Sequence, residues 1–225
     1  MLRILYGGTF DPVHNGHLAI ARAAHAAFGV PIHLMPAADP PHRAPPGATA
    51  IQRVHLLDLA VKDEVGLCVD RRELVRAARD PEARSYMVET LRELRAEQGD
   101  AVPVALLIGA DSLLGLPTWK AWSELFDLAH FIVADRPGSG LDAGLSPILM
   151  EALEGRWTDH PAYLHRSPAG RVYRLHQPLQ PESATEIRRR IGAGKAWRHL
   201  VPPQVADAIA DERLYVSRAA DAAPL

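Results

Sequence analysis

The stretch Leu2-Arg3-Ile4-Leu5-Tyr6-Gly7-Gly8-Thr9-Phe10-Asp11-Pro12-Val13-His14-Asn15-Gly16-His17 opens the chain, and its reading decides the fold. Leu2–Tyr6 is an apolar run of strand length, Gly7-Gly8 interrupts it, and Asn15–Phe28 places Leu18, Ala21 and Phe28 on one helical face. Strand, glycine turn and helix make the first half of a βαβ unit. Such a turn lets backbone approach a ligand, while the helix N-terminus presents unpaired N–H groups and positive dipole, so the geometry suits phosphate. No Gly-Lys-Ser/Thr follows, which excludes a Walker A loop, and the Gly-x-Gly-x-x-Gly spacing of a dinucleotide fingerprint is absent. His14 and His17, three apart at the mouth of the helix, can turn both rings to one side and donate to phosphate oxygens. Taken singly, each residue reads equally as local capping or packing, with Asp11 or Asn15 ending the turn. A zinc site is disfavoured, because no cysteine or further histidine lies nearby to complete a tetrahedral set.

Outward from this stretch, apolar runs alternate with amphipathic ones through the first two thirds of the chain, as parallel strands joined by crossover helices require. Further strands are expected at Pro31–Pro36, Gly66–Asp70, Val102–Ile108, His130–Ala134 and Val172–Leu175. Helices are expected at Ile51–Val61, after a Thr49 cap, and at Ala83–Glu97, which carries Met87, Leu91 and Leu94. The fold expected is α/β: a Rossmann-like, doubly wound parallel sheet of order 3-2-1-4-5 with helices on both faces and a small C-terminal helical part. One domain spans 1–225, with an insertion or lid at about 137–170, containing a short helix near Ile148–Leu153. The C-terminal helical part covers about 183–216: a helix opening at Ser183, a short piece near Trp197–Leu200, and Pro203–Asp211 after a double proline. Pro36–Gly47, rich in proline and glycine, reads as a long loop at a strand's C-terminal end, where binding groups often sit.

Composition sets outer bounds. In 225 residues, 48% are apolar and 23% charged, the balance of a folded globular chain. The longest apolar runs are strand-sized, and the N-terminus enters a strand without a signal-peptide pattern, so a cytoplasmic address and no membrane partner are expected. Cys68 is the one cysteine, which rules out an intramolecular disulfide and fits a reducing compartment. A net charge of -2 gives no footprint for long nucleic acids yet permits a local basic pocket for a small phosphorylated ligand.

Two later segments reinforce the phosphate reading. Ser183-Ala184-Thr185-Glu186-Ile187-Arg188 has capping-box spacing, with Glu186 reaching back to Ser183. Ser183, Thr185 and Arg188 near a helix N-terminus also offer two hydroxyls and a guanidinium to an anion. Gly109-Ala110-Asp111 follows the strand ending at Ile108; strands 1 and 4 are neighbours across the switch point of a 3-2-1-4-5 sheet, so both turns face one crevice. Asp111 there is either a helix cap or a partner for a ribose hydroxyl. Arg43, in Pro40-Pro41-His42-Arg43, is a loop charge or a phosphate ligand.

Jointly, Gly7–Pro12 with His14-Asn15-Gly16-His17 resembles the (H/T)xGH signature of the nucleotidylyltransferase superfamily, and Ser183–Arg188 resembles its SxTxIR motif. Pro40–Arg43 is similar to a Pro-Pro-His-Lys segment of the same family. Ser85-Tyr86, Ile108–Leu114, Trp119, Arg136-Pro137-Gly138, Pro202 and Leu214-Tyr215 follow the order and spacing of the bacterial nicotinate-nucleotide adenylyltransferases, so the resemblance covers nearly the whole chain. It implies an ATP site at Gly7, Gly8, Thr9, Phe10, His14, His17, Arg43, Gly109, Asp111, Ser183, Thr185 and Arg188. His14, His17 and Arg188 would be catalytic, with Mg2+ entering on ATP and no protein metal site. Thr9, Arg43, Tyr86, Met87, Trp119 and Arg136 would hold the mononucleotide, Tyr86 and Trp119 bordering its pyridine ring. Three positions depart from the family's habit: Met87 for threonine, Glu182 for an apolar residue and Asp135 for arginine. The first removes a hydroxyl; the others weaken local positive potential.

The implied reaction is attack by the 5′-phosphate of nicotinate mononucleotide on the α-phosphorus of ATP, with pyrophosphate leaving. Competing readings remain: a sister transferase using nicotinamide mononucleotide or phosphopantetheine, a catalytically silent nucleotide sensor, and an RNA-binding module, which would lack a basic surface run. The partners expected are the two small-molecule substrates, and homo-oligomerisation is left open.

Overall fold

The computed structural model describes residues 1–38, 47–80, 84–135, 140–176 and 182–216. Strands β1 (Arg3–Gly8), β2 (Ile32–Pro36), β3 (Leu67–Val69), β4 (Val104–Gly109), β5 (His130–Asp135), β6 (Trp157–Thr158) and β7 (Val172–His176) form one sheet of order β3-β2-β1-β4-β5-β7-β6. Every pairing is parallel. The helices are α1 (Asn15–Phe28), α2 (Ala50–Val61), α3 (Arg72–Arg79), α4 (Met87–Gln98), α5 (Ala110–Leu114), α6 (Leu125–Leu128), α7 (Leu141–Gly144), α8 (Pro147–Leu153), α9 (Ala184–Gly192) and α10 (Pro203–Asp211).

A parallel sheet is buried on both faces, so its strands are apolar throughout and successive side chains feed two separate layers. Ile4 and Tyr6 of β1 join Leu34, Leu107 and Ile132 on the face covered by α1, α2, α9 and α10. Leu5 joins Leu106, Phe131 and Val133 on the other face, under α4, α5, α6 and α8. The expected order 3-2-1-4-5 is present, and β7 and β6 extend it past β5. Winding reverses between β1 and β4, which pair directly, so the C-terminal ends of these strands border the switch-point crevice.

Three details differ from the sequence reading. The helix expected over Ala83–Glu97 starts at Met87, because Ser85 and Tyr86 stay extended: the Ser85 hydroxyl accepts the Ala38 N–H at 3.0 Å, and Tyr86 is a non-helical N-cap. Helix α3 and strand β6 were not expected at all. Glu186 does not reach back to close a capping box; Ser183 Oγ accepts the Glu186 N–H at 3.2 Å, while the Glu186 carboxylate is drawn to Arg189 and Arg190. Within the expected insertion, α8 buries Leu149 and Leu153 against the sheet and β6 forms its edge.

Candidate active site

Strand β1 runs straight through Gly7 and Gly8, neither at positive φ, and close approach favours glycine at Gly8, whereas at Gly7 the neighbour is the mobile end of Met87. A Cβ on Gly7 would sit 2.9 Å from Met87 Cε, and one on Gly8 would sit 3.0 Å from the Phe10 ring. The turn itself is made by Phe10, held at φ 49°, a left-handed conformation uncommon for a bulky residue. Burial holds it there: the Phe10 ring meets Tyr6 edge-on at 5.6 Å and His17 at 4.9 Å.

This packing orients the histidine pair. His14 is the N-cap of α1; its backbone N–H donates to His17 Nδ1 at 3.3 Å, and the two rings stack 3.7 Å apart. Because His17 Nδ1 is an acceptor, the neutral ring carries its hydrogen on Nε2. His14 is 7% exposed, and burial pushes its pKa down to about 4, so the ring is neutral at physiological pH. Its Nδ1 is a buried polar atom with no hydrogen-bond partner among the described residues, an uncommon state in a folded protein outside functional sites.

Asp11 ties the turn to three remote segments. Its buried carboxylate accepts the Gly47 N–H at 2.8 Å, the Ala48 N–H at 3.1 Å and the Tyr215 hydroxyl at 2.8 Å. Arg188 of α9 donates to the Asp11 carbonyl at 2.6 Å and lies 3.6 Å from its carboxylate. Burial and the neighbouring Asp11 charge hold the Tyr215 phenol far above its ordinary pKa, so it remains a donor. Arg53, 1% exposed, donates to the carbonyls of Thr9 at 2.6 Å, Ala38 at 3.2 Å and Ala48 at 3.3 Å. Burial lowers its pKa, and the Asp11 charge opposes that shift. The late helix is thereby docked on the first turn, with Thr185 Oγ1 3.5 Å from the Arg188 guanidinium.

A cavity of about 300 Å³ opens at the switch point, lined by Gly7, Gly8, Thr9, Tyr86, Met87, Asp111, Trp119 and Lys120 among others. Both strand-end turns therefore face one crevice. Met87 projects beneath Gly7 and supplies an apolar floor where a threonine would have left a hydroxyl. Gly109 is the extended N-cap of α5 and presents Asp111 in that helix's first turn. His14, His17, Ser183, Thr185 and Arg188 are not among its lining residues; His17 packs on Phe10 with His14 stacked on it, Arg188 binds Asp11, and Thr185 and Ser183 belong to the start of the helix that carries Arg188. Glu182 and Asp135 lie outside the cavity lining. Arg43 and Arg136 fall outside the described residues.

Sequence reasoning missed Asp11 as a junction, Arg53, Tyr215, Lys120 and the buried Glu73. Glu73 accepts from Thr90 Oγ1 at 2.9 Å and bonds with Ser85 beside the cavity; burial raises its pKa. Arg53 on the apolar face of α2 was the available signal, since a charge among Val54, Leu56 and Leu57 needs buried partners, whereas Glu73 in the polar α3 gave none.

A doubly wound parallel sheet whose first and fourth strand-end turns face one switch-point cavity defines a class of nucleotide-handling α/β proteins, and residues 5–190 match the family model described as cytidylyltransferase-like. The chain is 60% identical over 216 residues, 96% of its length and 97% of the relative's, to a protein of Stenotrophomonas maltophilia named "Probable nicotinate-nucleotide adenylyltransferase". A Xylella fastidiosa protein of the same name is 47% identical over 95% of this chain and 96% of its own. The chain belongs to the nicotinate-nucleotide adenylyltransferase family. Plasmodium falciparum nicotinic acid mononucleotide adenylyltransferase, solved in complex with NaAD, shares the fold at a TM-score of 0.71 and 12% identity, covering 95% of this chain and 97% of that one.

Proposed function

We propose that this chain transfers AMP from ATP to nicotinate mononucleotide, giving nicotinate adenine dinucleotide and pyrophosphate. The observation that carries the reading is the docking of α9 on the histidine turn: Arg188, 2.6 Å from the Asp11 carbonyl, joins the two phosphate motifs at the border of one cavity.

In this reading a 5′-phosphate oxygen bonds to the α-phosphorus as the bond from that phosphorus to the β-bridging oxygen breaks, and the electron pair leaves on pyrophosphate. The nucleophile, with a second pKa of about 6, is mostly dianionic at neutral pH and needs no protein base. Catalysis is then positioning and charge stabilisation. His17 Nε2–H donates to the reacting phosphate; neutral His14, with its unsatisfied Nδ1, holds the same region. Gly8 and Thr9 bring backbone to it. Ser183, Thr185 and Arg188 stabilise charge developing on pyrophosphate, while Arg43 and Arg136 supply further phosphate and mononucleotide contacts. Tyr86, Met87 and Trp119 bound the pyridine, and Asp111 takes a ribose hydroxyl.

Mg2+ enters as part of the ATP substrate, with phosphate oxygens and water among its ligands. Among the described residues no three His, Cys, Asp or Glu side chains form a metal set. A cytoplasmic setting fits a lone free cysteine, and no described helix is long and apolar enough to cross a membrane.

The test offers purified protein MgATP with nicotinate mononucleotide, nicotinamide mononucleotide or phosphopantetheine, following pyrophosphate release. The highest kcat/KM belongs to nicotinate mononucleotide. Preference for either alternative overturns the substrate assignment, and no release with any of them favours the silent sensor. His17→Ala should lower kcat by roughly 10²–10³, the cost of removing one donor to developing charge. Near-normal turnover in the folded variant overturns the role given to His17.

A further inference from the structure

Among the described residues lining the switch-point cavity, two carry charge: Asp111 and Lys120. Asp111 sits in the first turn of α5, directly after β4. Lys120 follows Trp119, and its Nζ lies 4.6 Å from the centroid of the Tyr86 ring. The cationic group thus sits with the two aromatics that bound the pyridine in the reading above.

The ammonium is held in place by Glu89 at 2.8 Å, which also pairs with Arg92 at 3.4 Å; Arg92 in turn binds Glu124 at 2.6 Å. Lys120 at the cavity wall is therefore one end of a network of two cations and two carboxylates. The Lys120–Glu89 bond uses one of the three ammonium donors. Lys120 is half exposed, so its charge is screened by solvent and by Glu89, and its effect is one of selection rather than of tight binding.

We infer that Lys120 is a specificity-determining residue, reading the carboxylate on the pyridine ring of the mononucleotide through a charge-assisted hydrogen bond while Asp111, a second charged group of the lining, disfavours that carboxylate elsewhere. The inference rests on the proposed transfer to nicotinate mononucleotide and adds to it the group that separates an acid from its amide. An amide offers neither the negative charge nor two equivalent acceptor oxygens, so it gains less from the ammonium. Tyr86 gains a second role, as the face across which the cation is steered toward the ring.

The experiment compares wild-type, Lys120→Met and Lys120→Arg with nicotinate and nicotinamide mononucleotide at saturating MgATP. Transfer to nicotinate mononucleotide by the wild type supports the underlying reading by itself. In Lys120→Met the KM for nicotinate mononucleotide rises about 2- to 5-fold with kcat little changed, the size expected of a screened charge pair. The KM for nicotinamide mononucleotide stays constant, and Lys120→Arg retains most of the preference. Raising salt weakens nicotinate binding in the wild type and has less effect in Lys120→Met. An unchanged acid-to-amide ratio, or equal losses for both substrates, overturns the role of Lys120 and leaves the transferase reading standing. Thermal unfolding of each variant confirms that the surface lysine is dispensable for folding; a destabilised Lys120→Met is judged on Lys120→Arg, whose loss of preference also overturns the inference.

Discussion

Asp11 has the burial of a core residue and the chemistry of a surface one. At 4% exposure, its carboxylate is kept ionisable-side inward only because two backbone N–H groups, a phenol and a guanidinium converge on it. Removing an acceptor from such a set costs more than making it contributes, since the donors left behind are also buried. Asp11→Asn keeps the size but turns an NH2 group toward donors. It should lose about 3 kcal/mol of stability and also lower kcat, because Arg188 loses the charge that aligns it. Urea unfolding with steady-state kinetics checks both, and a variant matching wild type in each refutes the junction. Tyr215→Phe, which deletes a single bond to that carboxylate, should cost about 1 kcal/mol by the same measurement. Gly7 through His17 was legible in the sequence because the residues are contiguous and their spacing alone implies a helix start. The junction was not, because its partners lie 36, 37, 177 and 204 positions away from Asp11. Nothing local to Asp11 distinguishes it from an ordinary turn residue.

At the scale of elements, apolar periodicity reported what it physically encodes and nothing else. Helix α1 matched its expected span from Asn15 to Phe28 because Leu18, Ala21, Ala24 and Phe28 form a buried stripe. Helix α3 has no such stripe: Glu73 is its one buried residue, and its ties to the rest run through Arg72, Arg76 and Glu73 itself. Strand β6, two residues long, is too short to show alternation. The start of α4 was set by a hydrogen bond from Ala38, 47 residues away, which keeps Ser85 extended and so delivers Tyr86 to the cavity wall. Helix α9 was legible from its cap, although its expected box closes on one side only. Ser183→Ala removes the acceptor for the Glu186 N–H and should destabilise the protein by about 1 kcal/mol. Since α9 also carries Thr185 and Arg188, kcat should fall further than the stability loss explains. Equal kcat with the expected destabilisation would restrict Ser183 to capping.

For the whole molecule, the sheet order and both core layers follow from buried strands joined by crossover helices, while the polar groups enclosed between them make stability depend on pH. Three histidines titrate differently in the folded protein. Burial pushes His14 down to about 4 and also lowers His33 and His130. His130 is enclosed at 0% exposure, with Nε2 2.8 Å from the Ser167 carbonyl and Nδ1 accepting the Arg171 N–H at 3.0 Å, so its neutral form joins β5 to the chain leading into β7. Each of these rings binds a proton more readily once unfolded, where its pKa is about 6.5. Below that value the unfolded state holds more protons, so stability falls with decreasing pH. The loss attributable to His14 runs from about pH 6.5 to about 4, is complete below its folded pKa, and is on the order of 3 kcal/mol. Carboxylates whose pKa is lowered, such as Asp70 beside Arg72, act in a separate window at and below the ordinary carboxylate pKa. Urea midpoints should therefore decline between pH 7.5 and 5.5, where the histidines lowered by burial set the trend and Glu73, whose pKa burial raises, opposes it. His14→Asn should flatten the upper part of that decline while leaving the acid limb in place, and an unchanged slope in the variant would remove His14 as its source.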